Sequence, residues 1–483
     1  MCRACTLCFF PFAGIVKCRY MTSTKSKPRT KKRCVIIGAG PAGLGAGWRL
    51  MELGHTDFVI YDKNPYVGGL ATSFVDDAGF TWDIGGHVLH SHYPYFDRMF
   101  ETVMNNDYFT HQRESWVWIY DRFIPYPFQN NIHRLPVKAL HECLKGLYLA
   151  AKGNPKKLRT FADWITASFG PGIAKHFMLP YNRKVWAYPP DKMNYQWVGD
   201  RVASVDISRI EQNIKTKRDD VSWGPNAVFH FPKKGGTGAI WEHVADRFRS
   251  HIMLNREVMS LDLKKKVVYL SDGSHDIYDV LFTTMPLDVL AKKQKDIVLP
   301  SAAKLHHSTV TIVGIGIAGT PPETLLTKCW MYFPENIAPF FRATVFSNYS
   351  RFNAPKGAWS LMTEVASSRY VPLPQGDIGA LVLEGAKQTK LLPKGAKIES
   401  LWTFRSEYGY PTPTLNRDTY LLQTLPALEK FGVYSRGRFG AWKYEVSNQD
   451  HTFMQGVEWV NHVLQNEEEI TVHNPAKVNG VKR

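Results

Sequence analysis

The sequence predicts an α/β protein built on a discontinuous Rossmann-like dinucleotide-binding domain, interrupted by a mainly helical domain and an antiparallel β-sheet domain. Three observations carry this. A glycine turn follows an apolar run near the start, apolar residues recur at helical spacing between residues 136 and 186, and alternating strands with turn signals fill much of the chain beyond residue 235.

In chain order, RCVIIGAGPAGLGAGWRLMELGHTDFVIYDKN from Arg33 reads as strand, glycine turn, helix and a second strand ending at Asp62. A second glycine cluster, VGGLATS, spans 67–73, and the aromatic, histidine-rich FTWDIGGHVLHSHYPYFD then leads as irregular backbone into a short helix. Val137, Leu140, Leu144, Leu147 and Ala151 recur at three and four, with a similar pattern around Trp164 and Ile173, which predicts a helical insertion. KKVVYLSDGSHDIYDVLFTTMP is expected to form a hairpin around Asp272-Gly273 that feeds a buried strand. Further antiparallel strands are expected at 309–317, 341–346 and 359–365, and the C-terminal stretch ends in a helix with Phe453, Val457, Val460 and Leu464 on one face. The expected division is a leader (1–32), a dinucleotide domain in three pieces (33–95, 236–290 and 436–466), a helical substrate domain (96–200) and a sheet domain in two pieces (201–235 and 300–415). A cleft is expected where they meet.

Composition narrows the function classes. The chain has 483 residues, 44% hydrophobic and 13% aromatic, enough for about three domains and a sizeable core. Its apolar run LCFFPFAGIV is half of the roughly 20 residues that cross a bilayer, so no membrane partner is expected. Nine basic residues without an acid, from Arg3 to Arg33, account for much of the formal charge of +17; without them it is +8, which suits an anionic small substrate better than a nucleic acid. Seven scattered cysteines, four of them in the leader, argue for a reducing compartment and offer no second pair to complete a zinc site. The leader reads either as a targeting peptide or, preferably, as residues upstream of an effective start at Met21. The chain ends Val-Lys-Arg without a peroxisomal tripeptide, so the cytoplasm is the expected compartment, with organellar targeting by 1–32 left open.

Gly38, Gly40 and Gly43 satisfy G-x-G-x-x-G directly after a strand, so Gly38, Gly40, Pro41, Ala42 and Gly43 are the expected pyrophosphate cradle. Asp62, 19 residues after Gly43, is placed to accept hydrogen bonds from the adenosine ribose. This unit alone does not separate NAD from FAD. The doublet Gly68-Gly69, followed by Leu70, resembles that of large flavoproteins of the glutathione-reductase-like superfamily, as do the returning VLFTTMP hairpin and the terminal GRFG-plus-helix segment, and the expected cofactor is FAD. A helix N-terminus near Gln449 would stabilise negative charge on the flavin pyrimidine ring.

A narrower resemblance covers about Arg33 to Leu464. The motifs IGGHV (84–88), PYPFQNN (125–131), FMLPYNRKVWAYP (177–189), GDRVA (199–203), WGPNAVFHFPKKGGTG (223–238), CWMYFPE (329–335), FRATVFSNYS (341–350), YGYPTPT (408–414) and GRFGAWKYEVSNQDHTF (437–453) resemble those of UDP-galactopyranose mutases of the eukaryotic type, in the same order. The resemblance implies an isomerase of galactofuranose biosynthesis that interconverts UDP-galactopyranose and UDP-galactofuranose with no net redox change. Reduced flavin N5 would attack the galactose anomeric carbon, giving a covalent flavin–sugar adduct, ring opening and reclosure. It implies Arg201 and Arg342 on the diphosphate, with Tyr349 and Tyr410 donating hydroxyls. Tyr126, Gln129, Phe177, Asn182 and Trp186 would take the uridine, although spacing alone favours a core role for Phe177 and Trp186. Asn226, Trp330, Tyr332, Arg438, Tyr444, Asn448 and Gln449 would form the sugar pocket, with Arg438, Asn448 and Gln449 also touching the cofactor. Gly86 and His87 belong to a loop beside the flavin, where His87 answers to its redox state; His90 and His92 receive no chemistry. NADPH or NADH is the implied reductant, binding transiently in the substrate cleft, and the sequence leaves the oligomeric state open, a monomer being one option. Two other readings stand beside this one: a flavin-dependent oxidase or desaturase of the same superfamily, and a non-catalytic nucleotide-binding module.

Overall fold

A computed structural model of the chain describes residues 31–153, 158–199, 202–221 and 227–480. The leader up to residue 30, Arg201 and Asn226 lie outside the described residues.

Five parallel strands form the first sheet, in the order Val433–Ser435, Val280–Thr283, Cys34–Ile37, Phe58–Tyr61, Ile252–Met253. The strand CVII is buried at all four residues because packed elements cover both faces, as a parallel sheet requires. Pro41 opens the helix Pro41–Glu52, which lies against the C-terminal helix Gln449–Gln465 with almost no side-chain spacing. A Cβ on Gly45 would lie 2.2 Å from the Phe453 carbonyl, and one on Gly456 would lie 2.0 Å from that of Ala42. This glycine crossing carries the N-terminus of the last long helix to the glycine turn from 400 residues downstream. Phe453, Val457 and Val460 are buried on its inner face, with Leu464 partly buried beside them.

A seven-stranded sheet runs Ile398–Thr412, His306–Ala318, Ala358–Ser367, Arg342–Val345, Trp330–Tyr332, Ser115–Ile119, Arg122–Pro125. It is antiparallel except where Trp330–Tyr332 meets Ser115–Ile119. Ser115–Ile119 and Arg122–Pro125 fall inside the span expected to be helical, and the alternation in SWVWI explains the difference: Val117 and Ile119 enter one core, Trp118 the other. The hairpin at Asp272-Gly273 forms as expected between Val267–Leu270 and His275–Ile277.

The helical segment contains Val137–Ala151, Phe161–Ile173 and Leu179–Trp186. A capping box at Thr160 and Asp163 starts the second helix. The first helix buries Ala139, Cys143, Gly146 and Leu147, while Val137 is 69% exposed, so its inner face is rotated from the expected one. Backbone contact sets that rotation, since a Cβ on Gly170 would lie 2.0 Å from the Gly146 carbonyl and one on Gly172 would lie 2.2 Å from that of Glu142.

Candidate functional site

A cavity of about 670 Å³ runs from the glycine turn to the large sheet. Gly38, Gly40, Pro41, Ala42, Asp62, Gly69 and Leu70 line one end. Gly38 has φ +103°, and a Cβ there would sit 1.9 Å from Thr284 Oγ1; a Cβ on Gly43 would sit 1.9 Å from the Gly38 carbonyl. Gly68 N–H donates to the Ala39 carbonyl at 2.8 Å, and a Cβ on Gly69 would lie 3.3 Å from Gly40 Cα, so the second glycine doublet braces the first turn. Gly43 and Gly68 thus shape the turn from behind and do not line the cavity. Asp62 accepts from Ala39 N–H at 2.7 Å and Asn64 N–H at 2.8 Å; burial still pushes its carboxyl above the usual range. Gly40 caps the helix Pro41–Glu52 without a side-chain acceptor, leaving first-turn N–H groups open to a pyrophosphate. A dinucleotide cofactor fits this end.

The other end is built from charge. Arg342 and Glu364 face each other across adjacent strands, and the guanidinium meets the carboxylate as a fork, Nε to Oε1 at 2.5 Å and Nη2 to Oε2 at 2.7 Å. Burial opposes the Arg342 charge, but Glu364 holds its pKa well above the ordinary value. Glu364 also accepts from Gly86 N–H at 3.0 Å, and Gly85, at φ +102°, approaches so closely that a Cβ would be 3.1 Å from Oε2. One carboxylate therefore fixes both Arg342 and the loop that carries His87. Arg438 is partly buried with neutral partners, the Gly409 carbonyl at 2.9 Å and Ser447 Oγ at 2.9 Å, under the Tyr410 ring at 5.0 Å. Burial lowers its pKa, and among the described residues no carboxylate lies within ion-pair distance of it. Burial, reinforced by Arg438 and Arg342, pushes His87 down to about 3, and its Nδ1 has no hydrogen-bond partner, so this imidazole is neutral near pH 7. At this end two partly buried guanidinium groups stand against one carboxylate, a local positive surplus suited to an anion.

Of the expected substrate residues, Trp330, Arg342, Tyr410, Arg438, Tyr444 and Asn448 line this cavity, as do the cofactor candidates Gly86, His87 and Gln449. Tyr126, Gln129, Phe177, Asn182, Trp186, Tyr332 and Tyr349 do not. Tyr126 and Tyr181 flank Tyr332 at 5.6 and 5.3 Å as an adjoining aromatic wall. Gln129 donates to the Ala203 carbonyl at 2.8 Å and Asn182 to that of Met178 at 2.8 Å. Phe177 stacks between Phe128 and Tyr181, and Trp186 packs on Trp197 and Tyr444; both are core contacts, as their spacing suggests. Tyr349 departs from expectation: it is fully buried, and its hydroxyl donates to the Cys329 carbonyl at 3.4 Å. Glu364 and Arg113 were missed. A single acid in the apolar strand AWSLMTEVAS was the available signal, because such a carboxylate needs a buried cation. Arg113, 4.7 Å over the Trp330 ring and 3.3 Å from Tyr332 Oη, carried no such signal.

The family model of the NAD(P)-binding Rossmann-like domain matches residues 36–103. Over 61 residues the chain is 43% identical to the probable zeta-carotene desaturase of Synechococcus elongatus, covering 13% of this chain and 12% of that protein. The chain thus spans about an eighth of that curated relative. A crystal structure of reduced UDP-galactopyranose mutase superposes with a TM-score of 0.91 at 46% identity, over 94% of this chain and 98% of that one. A putative protoporphyrinogen oxidase from Exiguobacterium sp. 255-15 shares the fold, with a TM-score of 0.68 at 13% identity over 91% of this chain and 100% of that one.

Proposed function

The chain belongs to the UDP-galactopyranose mutase family, and on that premise we propose that it interconverts UDP-galactopyranose and UDP-galactofuranose without net redox change. Its cofactor is FAD, active when reduced. The observation that carries the reading is the pair of partly buried guanidinium groups, Arg342 and Arg438, set against the single carboxylate of Glu364 at the far end of the cavity that begins at the glycine turn. Reduced FAD supplies a nucleophilic N5 for the galactose anomeric carbon.

The chain's own residues hold the leaving group and shape the space around it. Arg342, joined by Arg201, grips the diphosphate, and charge gained as the glycosidic bond breaks makes that grip stronger in the transition state. Glu364 holds the Arg342 fork in place before the ligand arrives. Tyr410 adds a hydroxyl, and the Tyr349 hydroxyl reaches the same group once it leaves the Cys329 carbonyl. Trp330, Tyr332, Tyr444, Asn226, Asn448 and Arg438 receive the sugar. Tyr126, Gln129 and Asn182 receive the uridine, with Phe177 and Trp186 as its packed support. Neutral His87 can sit beside the cofactor without adding a third positive charge. NADPH or NADH enters the same cleft to reduce the cofactor, so UDP should compete with it.

An oxidase or desaturase reading draws on sequence likeness over 61 residues and, beyond them, on a shared fold at 13% identity, and the cavity arginines are poorly suited to an apolar substrate. Feeding UDP-galactofuranose to dithionite-reduced and to oxidised protein separates the two readings. Product is expected only with the reduced form, with most turnover lost in Arg201→Ala and Arg342→Ala. Near-normal turnover in both variants would refute the assignment.

A further inference from the structure

Next to the cofactor residues lies a cluster that the reaction above does not use. Asp450, in the first turn of Gln449–Gln465, is 1% exposed and lines the cavity together with His90. Its Oδ2 accepts from both the backbone N–H of His92, at 2.9 Å, and the His92 ring Nδ1, at 2.7 Å. Its Oδ1 is buried with no hydrogen-bond partner. The His92 ring stacks on His451 at 4.5 Å and meets His90 edge-on at 5.9 Å. Burial alone would push the Asp450 carboxyl up, yet the imidazoles of His451, His92 and His90 hold it well below the usual carboxylate range. A carboxylate thus shares the cavity with a cofactor that gains negative charge on reduction. Two anions close together in a poorly solvated space repel strongly.

We propose that His92, held on Asp450, takes up a proton from solvent when the cofactor in this cavity is reduced, so that Asp450 and the reduced cofactor are not left as two uncompensated anions. The proposal rests on the FAD reading above and is independent of the sugar chemistry. A hydride from NADPH or NADH carries two electrons and one proton to the isoalloxazine and leaves NADP⁺ or NAD⁺. The isoalloxazine then bears one negative charge, and a second proton, from water, goes to the His92 imidazole.

Access favours His92 over its neighbour, since its side chain is 16% exposed while His451 is fully buried, with Nδ1 on the Tyr93 hydroxyl at 2.7 Å. The titratable groups packed around His92 are Asp450 and His451 from the helix, and His90 and Tyr93 from its own loop. Glu458 enters only at a distance, through Thr471, which bridges it to Tyr93 at 2.7 and 2.8 Å. His92, Asp450 and His451 also have donor atoms close enough to hold a metal ion, but the 2.7 Å contact between His92 and Asp450 is a hydrogen bond already made.

The test is the midpoint potential of the purified holoprotein, measured by spectroelectrochemistry across neutral pH. In the native protein the ratio of reduced to oxidised cofactor at fixed ambient potential should fall a hundredfold per pH unit, equivalent to ~60 mV for a two-electron couple. His92→Asn keeps a donor toward Asp450 but does not titrate, and Asp450→Asn removes the buried charge. Both should show only a tenfold fall, ~30 mV per pH unit. A tenfold dependence in the native protein, or a hundredfold one in His92→Asn, would overturn the proposal and leave the FAD assignment standing. A stoichiometric divalent metal in the native holoprotein would overturn it too. A purified protein that releases no flavin would overturn the cofactor assignment and this proposal together.

Discussion

The two ends of the cavity are built by opposite means. At the glycine end the working groups are backbone, and the side chains that matter are the ones missing at Gly38, Gly43 and Gly69. At the arginine end, side chains from Arg342, Glu364 and Arg438 do the work, and they come from well-separated parts of the chain. The first end therefore depends on empty space and the second on charge balance. An added methyl should harm the first most, and a lost partner should harm the second most.

Arg342→Ala is the largest test of that contrast. It strands Glu364, which is buried and also holds the Gly86 N–H. We expect a stability loss of about 3–5 kcal/mol by chemical denaturation, as for other broken buried pairs. Turnover with UDP-galactofuranose should fall by ~10²–10³-fold. Glu364→Gln should recover part of the stability when combined with Arg342→Ala, because the stranded charge is then gone. If the double variant is no more stable than Arg342→Ala, charge balance does not govern this end.

The next test concerns the joint between the ends. Asp83 ends the strand that precedes Gly85 and pairs with the strand following the glycine doublet. It is fully buried, accepting from Ser73 Oγ at 2.5 Å and Thr237 N–H at 3.2 Å, and burial pushes its pKa up to about 7. An unfolded aspartate titrates near ~3.9, so the native state binds the proton more tightly. This contribution is fully present below about 4 and is lost as pH rises to about 7, on the order of 4 kcal/mol in all. Unfolding free energies of Asp83→Asn should lack that fall. An unchanged profile would mean that Asp83 stays ionised and belongs with the charged end.

Legibility in the sequence follows the same divide. The glycine turn, the doublet and Asp62 lie within a 32-residue window, and each answers a local backbone need that the residue type betrays. Arg342 and Arg438 were reachable only through motifs, since a lone arginine does not say whether its partner is solvent, a carboxylate or a carbonyl. Glu364 went unread although its strand was identified, because the pairing register that sets it opposite Arg342 is a tertiary fact. SWVWI went unread for a related reason: a five-residue strand inside a helical stretch declares itself only by alternation, and its partner Trp330–Tyr332 lies 215 residues further along the chain. Arg201 and Asn226 fall outside the described residues, so their roles rest on the motifs.

At the glycine end the decisive change is Gly43→Ala. Its Cβ would lie 1.9 Å from the Gly38 carbonyl, and neither the strand nor the helix can retreat without opening the turn. We expect a loss of about 1–3 kcal/mol, as for overpacking. The flavin content of the purified protein, read from absorbance after denaturation, should drop below half. Full flavin occupancy would show that the turn tolerates side-chain bulk and would remove the contrast between the ends.

The smallest effect is expected away from both ends, where neither space nor charge is constrained. Val137 opens the helix Val137–Ala151 at a position that helical spacing assigns inward, yet it is 69% exposed because the glycine contacts turn the helix. Val137→Lys should therefore change the unfolding free energy by no more than about 0.5 kcal/mol. Cys143→Lys, six residues on and fully buried, should cost several kcal/mol by burying an unpaired charge. Equal costs at the two positions would mean that the helix sits in the register its apolar spacing suggests, and that the close backbone crossing at Gly146 does not set it. Unequal costs in the expected order would extend the lesson of the glycine end to this domain, where missing side chains again decide which residues face inward.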